Sequence, residues 1–244
     1  MLLFIFTPMI CSFAFTFGLS YIKSYRTNKQ NIKDALPIGP DNTMVVFDLH
    51  GVLFNHEYFT MFMTFLRSPL KWKLMRALIN PCLIWDLLKL MYRRPVPESF
   101  FMYLAHHYKD IKDALPLLIE IANKQRPNPK TIQIVKNLKQ QGYELAVLSN
   151  IGQLIFNDLE PSHHDLFHMF NYIIIATPET HYTSKPNPKI YERLLNETDN
   201  TKNMILVDDK EKNICGGLPF GIIGITFKNA KQLQERLKKL HISV

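Results

Sequence analysis

Five short apolar runs, each bounded by polar or turn-forming residues, recur along the chain after residue 43. They are MVVFDL (44–49), ELAVLSN (144–150), YIIIAT (172–177), MILVDD (204–209) and GIIGITF (221–227). Runs of this length and composition are typical of strands buried on both faces of a sheet. The segments KTIQIVKNLKQQG, NPKIYERLLNE and NAKQLQERLKKL between and after them have the apolar spacing of helices. The alternation predicts an α/β fold with a Rossmann-like, doubly wound parallel sheet.

One long stretch interrupts this alternation. Residues 57–128 carry mostly helical patterns, and we interpret them as a helical cap inserted into a core of residues 44–56 and 129–244. Residues 59–94 mix large apolar side chains with Arg and Lys. We expect the apolar ones to form the core of the cap; the alternative is contact with a membrane surface or a lipid-like substrate. Residues 23–43 are polar, contain two prolines and a glycine, and predict a linker.

The chain begins with a hydrophobic segment, residues 1–22. Positions 2–22 carry no charged side chain and are long enough for a helix to cross a bilayer. We therefore expect an N-terminal hydrophobic helix that anchors the protein in a membrane. Basic residues follow this segment, beginning at Lys23, so the positive-inside tendency places the folded domain in the cytoplasm. The alternative is a cleaved signal peptide and export.

Composition adds little to this picture. A chain of 244 residues with 47% hydrophobic content can bury a sizeable core. The formal net charge of +8 suits anionic partners such as phosphate esters or acidic lipid, or serves solubility alone. The three cysteines lie far apart and form no C-x-x-C pair, so the sequence predicts neither a disulfide framework nor a zinc site.

Polar residues stand at the ends of three predicted strands: Asp48, Ser149, and the neighbours Asp208 and Asp209. The carboxyl ends of parallel strands meet at one edge of a doubly wound sheet, where ligands bind. We therefore expect these side chains to lie close together. They belong to four segments that occur in the order FDLHGVL, VLSN, SKPNP and VDDKEKN, of which the third supplies Lys185.

Taken together, these segments resemble the motifs of the haloacid dehalogenase-like hydrolase superfamily, in its capped phosphatase branch. The resemblance covers about residues 44–228. It implies that Asp48 is a nucleophile that forms an aspartyl-phosphate with a small phosphomonoester. It also implies that Lys185 stabilises the transferring group and that Ser149 and Asn150 bind the phosphate. A nucleic-acid partner is not expected.

The resemblance also implies a magnesium site. A phosphate dianion repels an attacking carboxylate, and a hard cation bound by oxygen ligands offsets that repulsion. The expected ligands are Asp48, the backbone carbonyl of His50, and Asp208. Asp209 would support either the metal or the lysine, and Asn213 would form a hydrogen bond within the site.

The chain departs from the family pattern at His50, where family phosphatases usually carry a second aspartate that acts as acid and base. Histidine titrates near neutrality, and we expect neighbouring carboxylates to favour its charged, acid-competent form. His50 would then replace the aspartate as general acid and base. The alternative is a catalytically impaired protein that binds a phosphorylated ligand or a protein partner. His56, shortly after this motif, is a further candidate for substrate contact.

Overall fold

The computed structural model describes residues 23–35, 37–93, 97–198 and 202–244. Its strands are β1 (Thr43–Phe47), β2 (Phe54–His56), β3 (Gln125–Pro127), β4 (Glu144–Gly152), β5 (Tyr172–Ala176), β6 (Asn203–Asp208) and β7 (Ile223–Thr226). Within the described residues, five of them form one parallel sheet in the order β5-β4-β1-β6-β7. These five correspond to the five apolar runs, so the predicted α/β fold with a parallel central sheet is confirmed.

Three helices of the core begin directly after an asparagine that caps them. The helices are α1 (23–34), α2 (Tyr58–Arg67), α3 (Lys71–Ala77), α4 (Pro81–Arg93), α5 (Pro97–His107), α6 (Lys109–Ala122), α7 (Pro129–Gln140), α8 (Gln153–Leu159), α9 (His164–Phe167), α10 (Pro188–Glu197), α11 (Glu211–Gly217) and α12 (Ala230–Lys239). The side chains of Asn128, Asn187 and Asn229 accept backbone N–H bonds in the first turns of α7, α10 and α12. Asparagine favours this capping position because its oxygen satisfies an otherwise unpaired donor.

The core surrounds β1, which is buried along its whole length. Its side chains alternate between the two faces of the sheet, as the pleat of a strand requires. Val45 and Phe47 pack in the cluster that includes α7 and α12, whereas Met44 and Val46 pack in the cluster that includes α10 and α11. Helices on both faces therefore fix the carboxyl end of the central strand, and the next residue is Asp48.

Helices α2 to α6 lie between β2 and β3, which pair in an antiparallel ribbon. They have a small apolar core of their own: Ala77, Leu83, Leu104, Ala105 and Ile111. Two charged contacts join α3 to α6. Lys73 Nζ lies 2.6 Å from Asp113 Oδ2, and the Arg76 guanidinium binds the Asp110 carboxylate. The domain boundary at 57–128 itself stays a prediction.

The expectation that the apolar residues of 59–94 form a cap core is only partly met. Much of this apolar surface is exposed: Phe59, Phe62, Leu66, Trp72, Met75, Leu78, Ile79, Ile84, Trp85 and Leu88. The core of these helices is small, and among the described residues these large side chains stay exposed. Both tryptophans, Trp72 and Trp85, are more than half exposed.

The expectation that residues 23–43 form a linker is wrong for its first part, because residues 23–34 form α1. The Asn28 side chain donates to the Gly224 carbonyl and accepts from the Gly224 N–H, both at 2.9 Å. Asn31 donates to the carbonyls of Leu218 and Ile222. Polar amides therefore hold α1 against the edge strand β7 and satisfy its backbone groups.

The predicted membrane anchor, residues 1–22, lies outside the described residues and stays a prediction. Among the helices that the structure does describe, none combines the length and apolar character needed to span a bilayer.

Candidate active site

Asp48 lies at the carboxyl edge of the sheet. Its backbone N–H donates to the Val207 carbonyl at 2.9 Å, which continues the pairing of β1 with β6 by one residue. Its side-chain Oδ1 accepts a hydrogen bond from the Leu49 N–H at 2.8 Å. Within the described residues, no donor is hydrogen-bonded to Oδ2. One carboxylate oxygen is therefore held by the backbone, and the other is available for chemistry.

Lys185 lies against this carboxylate. Its ammonium Nζ is 3.2 Å from Asp48 Oδ1 and 2.6 Å from Asp208 Oδ2, and it also donates to the Leu148 carbonyl. The side chain is fully buried. Burial lowers the pKa of Lys185, but the carboxylates of Asp48 and Asp208 outweigh burial and raise the pKa above its ordinary value. The lysine therefore carries a positive charge beside both acidic groups.

Hydrogen bonds from two neighbouring residues hold the carboxylate of Asp208, the last residue of β6. Asn213 Nδ2 lies 3.0 Å from each carboxylate oxygen of Asp208, and the Lys210 N–H donates to Oδ1 at 2.8 Å. Asn213 is itself buried, and the Tyr191 hydroxyl donates to its carbonyl. These bonds fix the orientation of the Asp208 carboxylate.

Ser149 and Asn150 lie near the end of β4, where the pairing with β5 shifts its register. Ser149 is buried, and its Oγ accepts a hydrogen bond from the Ile151 N–H at 3.3 Å. The Asn150 side chain instead binds the backbone of Lys185: Oδ1 accepts from the Lys185 N–H at 2.7 Å, and Nδ2 donates to the Lys185 carbonyl at 2.9 Å. Asn150 therefore positions the segment that carries the lysine.

Gly51, in the turn that follows Asp48, is in close contact with Asp209. Gly51 has φ +83°, and a Cβ atom on it would lie 2.7 Å from Asp209 Oδ2. Only glycine fits this position, because a side chain would meet both a left-handed backbone and the carboxylate. The turn after Asp48 thereby lets Asp209 approach the first motif.

His50 is stacked on His56, with ring centroids 5.0 Å apart. Burial lowers the pKa of His50 to about 3, and the positive charges of His56, Lys210 and Lys185 contribute in the same direction. The expectation that carboxylates favour a charged His50 is therefore wrong. Burial of the ring is the largest cause of the lowered pKa and the nearby lysine charges add to it, which favours the neutral imidazole.

Three carboxylates form a cluster that fits a divalent cation. Ligand atoms of Asp48, Asp208 and Asp209 all lie within 4.8 Å of one another. Asp209 Oδ1 is buried and has no hydrogen-bond partner within the described residues. Burial raises the pKa of both Asp208 and Asp209, although the charges of Lys185 and Lys210 act in the opposite direction. A hard cation with oxygen ligands would balance this charge.

A cavity of about 610 Å³ opens above this edge. Its polar side includes His50, His56, Asn150, Ser184, Lys185, Asn187, Lys210 and Lys212. Its apolar side includes Met61, Phe101, Leu118, Ile121, Ile151 and Ile155. The sequence analysis missed Lys210 and Lys212, although both stand in the VDDKEKN segment. The cavity brings together a cation-rich anion site and a hydrocarbon wall from the helical insert.

Glu98 is a second residue that the sequence analysis missed. It lies on α5, is 3% exposed, and its Oε2 accepts from the backbone N–H groups of Leu154 and Ile155 at 2.7 and 3.3 Å. The Tyr182 hydroxyl reaches the other oxygen, Oε1, at 3.3 Å. Gly152 leaves room for this carboxylate, since a Cβ there would lie 2.3 Å from Glu98 Cβ. Glu98 thus ties the helical insert to the chain that follows β4.

We expect Glu98→Ala to lower the free energy of unfolding by about 1–3 kcal/mol, because two buried backbone donors lose their acceptor. Glu98→Gln should lower the free energy of unfolding by less, since the amide oxygen of glutamine can still accept the two backbone N–H bonds. Urea unfolding followed by circular dichroism measures both variants. Glu120→Ala, at a half-exposed position of α6, is the control and should change little. An unchanged urea midpoint for Glu98→Ala would refute the capping role.

A parallel α/β sheet with a buried acid–lysine site at its carboxyl edge, beneath inserted helices, is the architecture of a Rossmann-like hydrolase. The chain belongs to the haloacid dehalogenase-like hydrolases: the model of that family matches residues 45–227. The resemblance seen in the sequence is therefore confirmed, and the protein is an enzyme of a hydrolase family.

Two kinds of relative accompany this match. A sesquiterpene phosphatase of Aspergillus oryzae is 26% identical over 116 residues, which are 47% of this chain and 58% of that protein. A HAD phosphatase of Thermococcus onnurineus has a TM-score of 0.57 at 20% identity, covering 80% of this chain and 97% of that one.

A further structural neighbour was solved with ligands. It is a HAD-family enzyme of Bacteroides thetaiotaomicron, in complex with magnesium and inorganic phosphate. Its TM-score is 0.51 at 16% identity, and the match covers 77% of this chain and 95% of that one. At such identity the likeness of the two structures concerns the fold alone.

Proposed function

We propose that the protein hydrolyses a phosphomonoester, with Asp48 as the nucleophile and an aspartyl-phosphate as the intermediate. The observation that carries the proposal is the buried contact of the Lys185 ammonium with Asp48 and Asp208. A carboxylate with one restrained oxygen, beside a fixed positive charge and an accessible cavity, is suited to attack phosphorus. The phosphatase names of two relatives support the same reaction class.

The chemistry has two steps. An Asp48 oxygen bonds to phosphorus while the bond from phosphorus to the ester oxygen breaks, and the departing alkoxide takes up a proton from solvent water. Water then attacks the phosphorus of the aspartyl-phosphate, the bond from phosphorus to the Asp48 oxygen breaks, and one proton of that water returns to solvent while the other stays on the released phosphate. Lys185 offsets negative charge in both steps. Mg²⁺ held by Asp48, Asp208 and the His50 carbonyl, with Asp209 nearby, would reduce the repulsion between carboxylate and phosphate.

The other residues around the cavity would bind and enclose the substrate. Lys210 and Lys212 line the polar side of the cavity and attract the phosphate. Ser149 lies beside this edge and offers a hydroxyl to the phosphate, as the family resemblance implies, whereas Asn150 acts through Lys185. We propose that helices α2 to α6 form a cap that excludes water around the reacting groups.

A panel of phosphate esters, assayed with added Mg²⁺ and with a chelator, tests the reaction class. We expect hydrolysis with Mg²⁺ and a large loss of rate with the chelator, restored by adding Mg²⁺ back. Equal rates under both conditions would contradict the proposed metal requirement. An absence of hydrolysis across the panel would contradict the proposed phosphatase activity.

His50 has a narrower proposed role than the sequence suggests. A neutral imidazole can accept a hydrogen bond from the water that attacks the aspartyl-phosphate and so orient it, but it is a poor acid for the first leaving alkoxide, because its remaining N–H is much less acidic than an imidazolium. His50→Ala should therefore slow the second step more than the first and let the phosphoenzyme accumulate. Rapid-quench kinetics measure both steps. His164→Ala, at an exposed position, is the control, and equal slowing of both steps by His50→Ala would contradict this role.

The second candidate function is binding of a phosphorylated ligand with little turnover. The neutral state of His50 favours it, because the site then lacks the usual proton donor. In that case the protein would bind phosphate analogues in its cavity without releasing inorganic phosphate from any ester.

A further inference from the structure

The apolar wall of the cavity indicates which kind of organic group can bind there. Met61 of α2, Phe101 of α5, and Leu118 and Ile121 of α6 all line the cavity. Each is only half-buried, and Leu118 also packs against the small core of the insert. Leu118 and Ile121 are three residues apart in α6 and therefore share one face of that helix. Three helices thus expose large hydrocarbon side chains toward one space.

This wall faces the polar side of the same cavity, where Lys185, Lys210 and His50 lie. The polar side suits a phosphate group, and the four wall residues offer no side-chain hydrogen-bond donor. A sugar or other polyol placed against the wall would lose its bonds to water without replacement, which is costly. A hydrocarbon group would gain by burial there. The cavity volume of about 610 Å³ is that of a site for a ligand much larger than phosphate.

We propose that the substrate is the phosphate monoester of a bulky apolar alcohol, whose hydrocarbon part packs against Met61, Phe101, Leu118 and Ile121. This proposal rests on the phosphatase function proposed above and adds the class of leaving group. Phe101 and Ile121 determine specificity, because they contact the alcohol rather than the phosphate. The chemistry at Asp48 is then the same for all esters, and selection between them takes place at the wall.

The test uses the full-length protein and n-alkyl phosphates from ethyl to octyl, below the concentrations at which they form micelles. Glycerol phosphate and a hexose phosphate serve as polar esters of comparable size. We expect kcat/KM to rise by about 3- to 4-fold per methylene until the cavity is filled. Polar esters should react no faster than ethyl phosphate. A kcat/KM independent of chain length, or higher for the polar esters, would overturn the proposal.

Two wall variants make the test specific. Phe101→Ser and Ile121→Ser should each lower kcat/KM for octyl phosphate by about 10-fold or more while changing that for ethyl phosphate by less than about 3-fold. Leu88→Ser, at an exposed position of α4 outside the cavity, is the matched control. If variants as stable as the wild type lose kcat/KM equally for both esters, other residues determine specificity and the assignment is overturned.

Binding separates failure of this inference from failure of the phosphatase function. Non-hydrolysable n-alkylphosphonates of the same lengths are titrated by calorimetry. If affinity rises with chain length but no ester is hydrolysed, the apolar site is supported and the phosphatase function fails. If esters are hydrolysed but neither affinity nor kcat/KM depends on chain length, the phosphatase function is supported and the apolar site is refuted.

Discussion

Replacing Asp48 with asparagine is expected to lower phosphatase activity by at least about 10⁴-fold, as is usual when the nucleophile of a covalent mechanism is removed. Asparagine keeps the size of the side chain and can still accept the Leu49 N–H bond at Oδ1. The fold should therefore persist, and Lys185 still has Asp208 as a partner. The measurement is steady-state hydrolysis of an aryl phosphate, together with a thermal unfolding scan.

Asp41→Asn is the matched control for that variant. Asp41 is exposed in the short 3₁₀ turn Pro40–Asn42 before β1, so the same change of charge occurs away from the cavity. It should leave activity within about 2-fold, as is typical of surface substitutions. Residual activity of Asp48→Asn above a few per cent of wild type would mean that another residue attacks phosphorus.

Lys185→Met is expected to reduce both activity and stability. Without the ammonium, the buried carboxylates of Asp48 and Asp208 face each other without a counter-charge. Breaking a buried ion pair from one side lowers the free energy of unfolding by about 3–5 kcal/mol. Loss of the charge beside the transferring phosphoryl group should lower kcat by about 10²–10³-fold or more. Urea unfolding and steady-state kinetics measure the two effects.

Lys189→Met, four residues further along the chain, is the control for this variant. Lys189 is exposed at the start of α10, and only its backbone N–H bonds to Asn187. Added Mg²⁺ should recover part of the stability of Lys185→Met, because a cation bound by the carboxylates stabilises the folded state by mass action. Wild-type stability in Lys185→Met without metal would contradict the account of the buried ion pair.

The sheet and the positions of the acidic residues follow from local signals in the sequence. Continuous apolar runs predict buried strands, and a carboxylate at the end of such a run lies at the edge of a parallel sheet. Asp48 and Asp208 therefore could be placed near each other before any coordinates. Their contact with Lys185 came from the family resemblance, because nothing in the SKPNP segment alone indicates burial.

Other features depend on contacts between distant parts of the chain. Asn150 binds the backbone of Lys185, 35 residues away, and Glu98 reaches Leu154 across 56 residues. The charge state of His50 depends mainly on its burial and also on lysines far along the chain, so the neighbouring Asp48 points in the wrong direction. Helix α1 was missed because hydrogen bonds from asparagine side chains to β7 and the residues before it, rather than an apolar stripe, hold it in place.

The exposure of apolar side chains on α2 to α4 could not be predicted from the sequence either. Residues such as Trp72 and Trp85 have the composition of a core, but whether they are buried depends on how much surface the remaining helices provide. The apolar wall beneath the insert could not be distinguished from this outer face by sequence pattern. Only the packing of α5 and α6 separates Phe101 and Leu118, which line the cavity, from the residues turned away from it.

The central claim is that Asp48 carries the phosphoryl group during turnover, and chemical trapping tests it most directly. The full-length enzyme is mixed with an excess of a phosphate ester, quenched in acid within the first turnover, and reduced with borohydride. An acyl phosphate on an aspartate is thereby converted to homoserine, which peptide mass spectrometry locates. We predict homoserine at position 48 and none in the Asp48→Asn variant. Trapped phosphate on another residue, or full turnover with no trapped species, would contradict the claim.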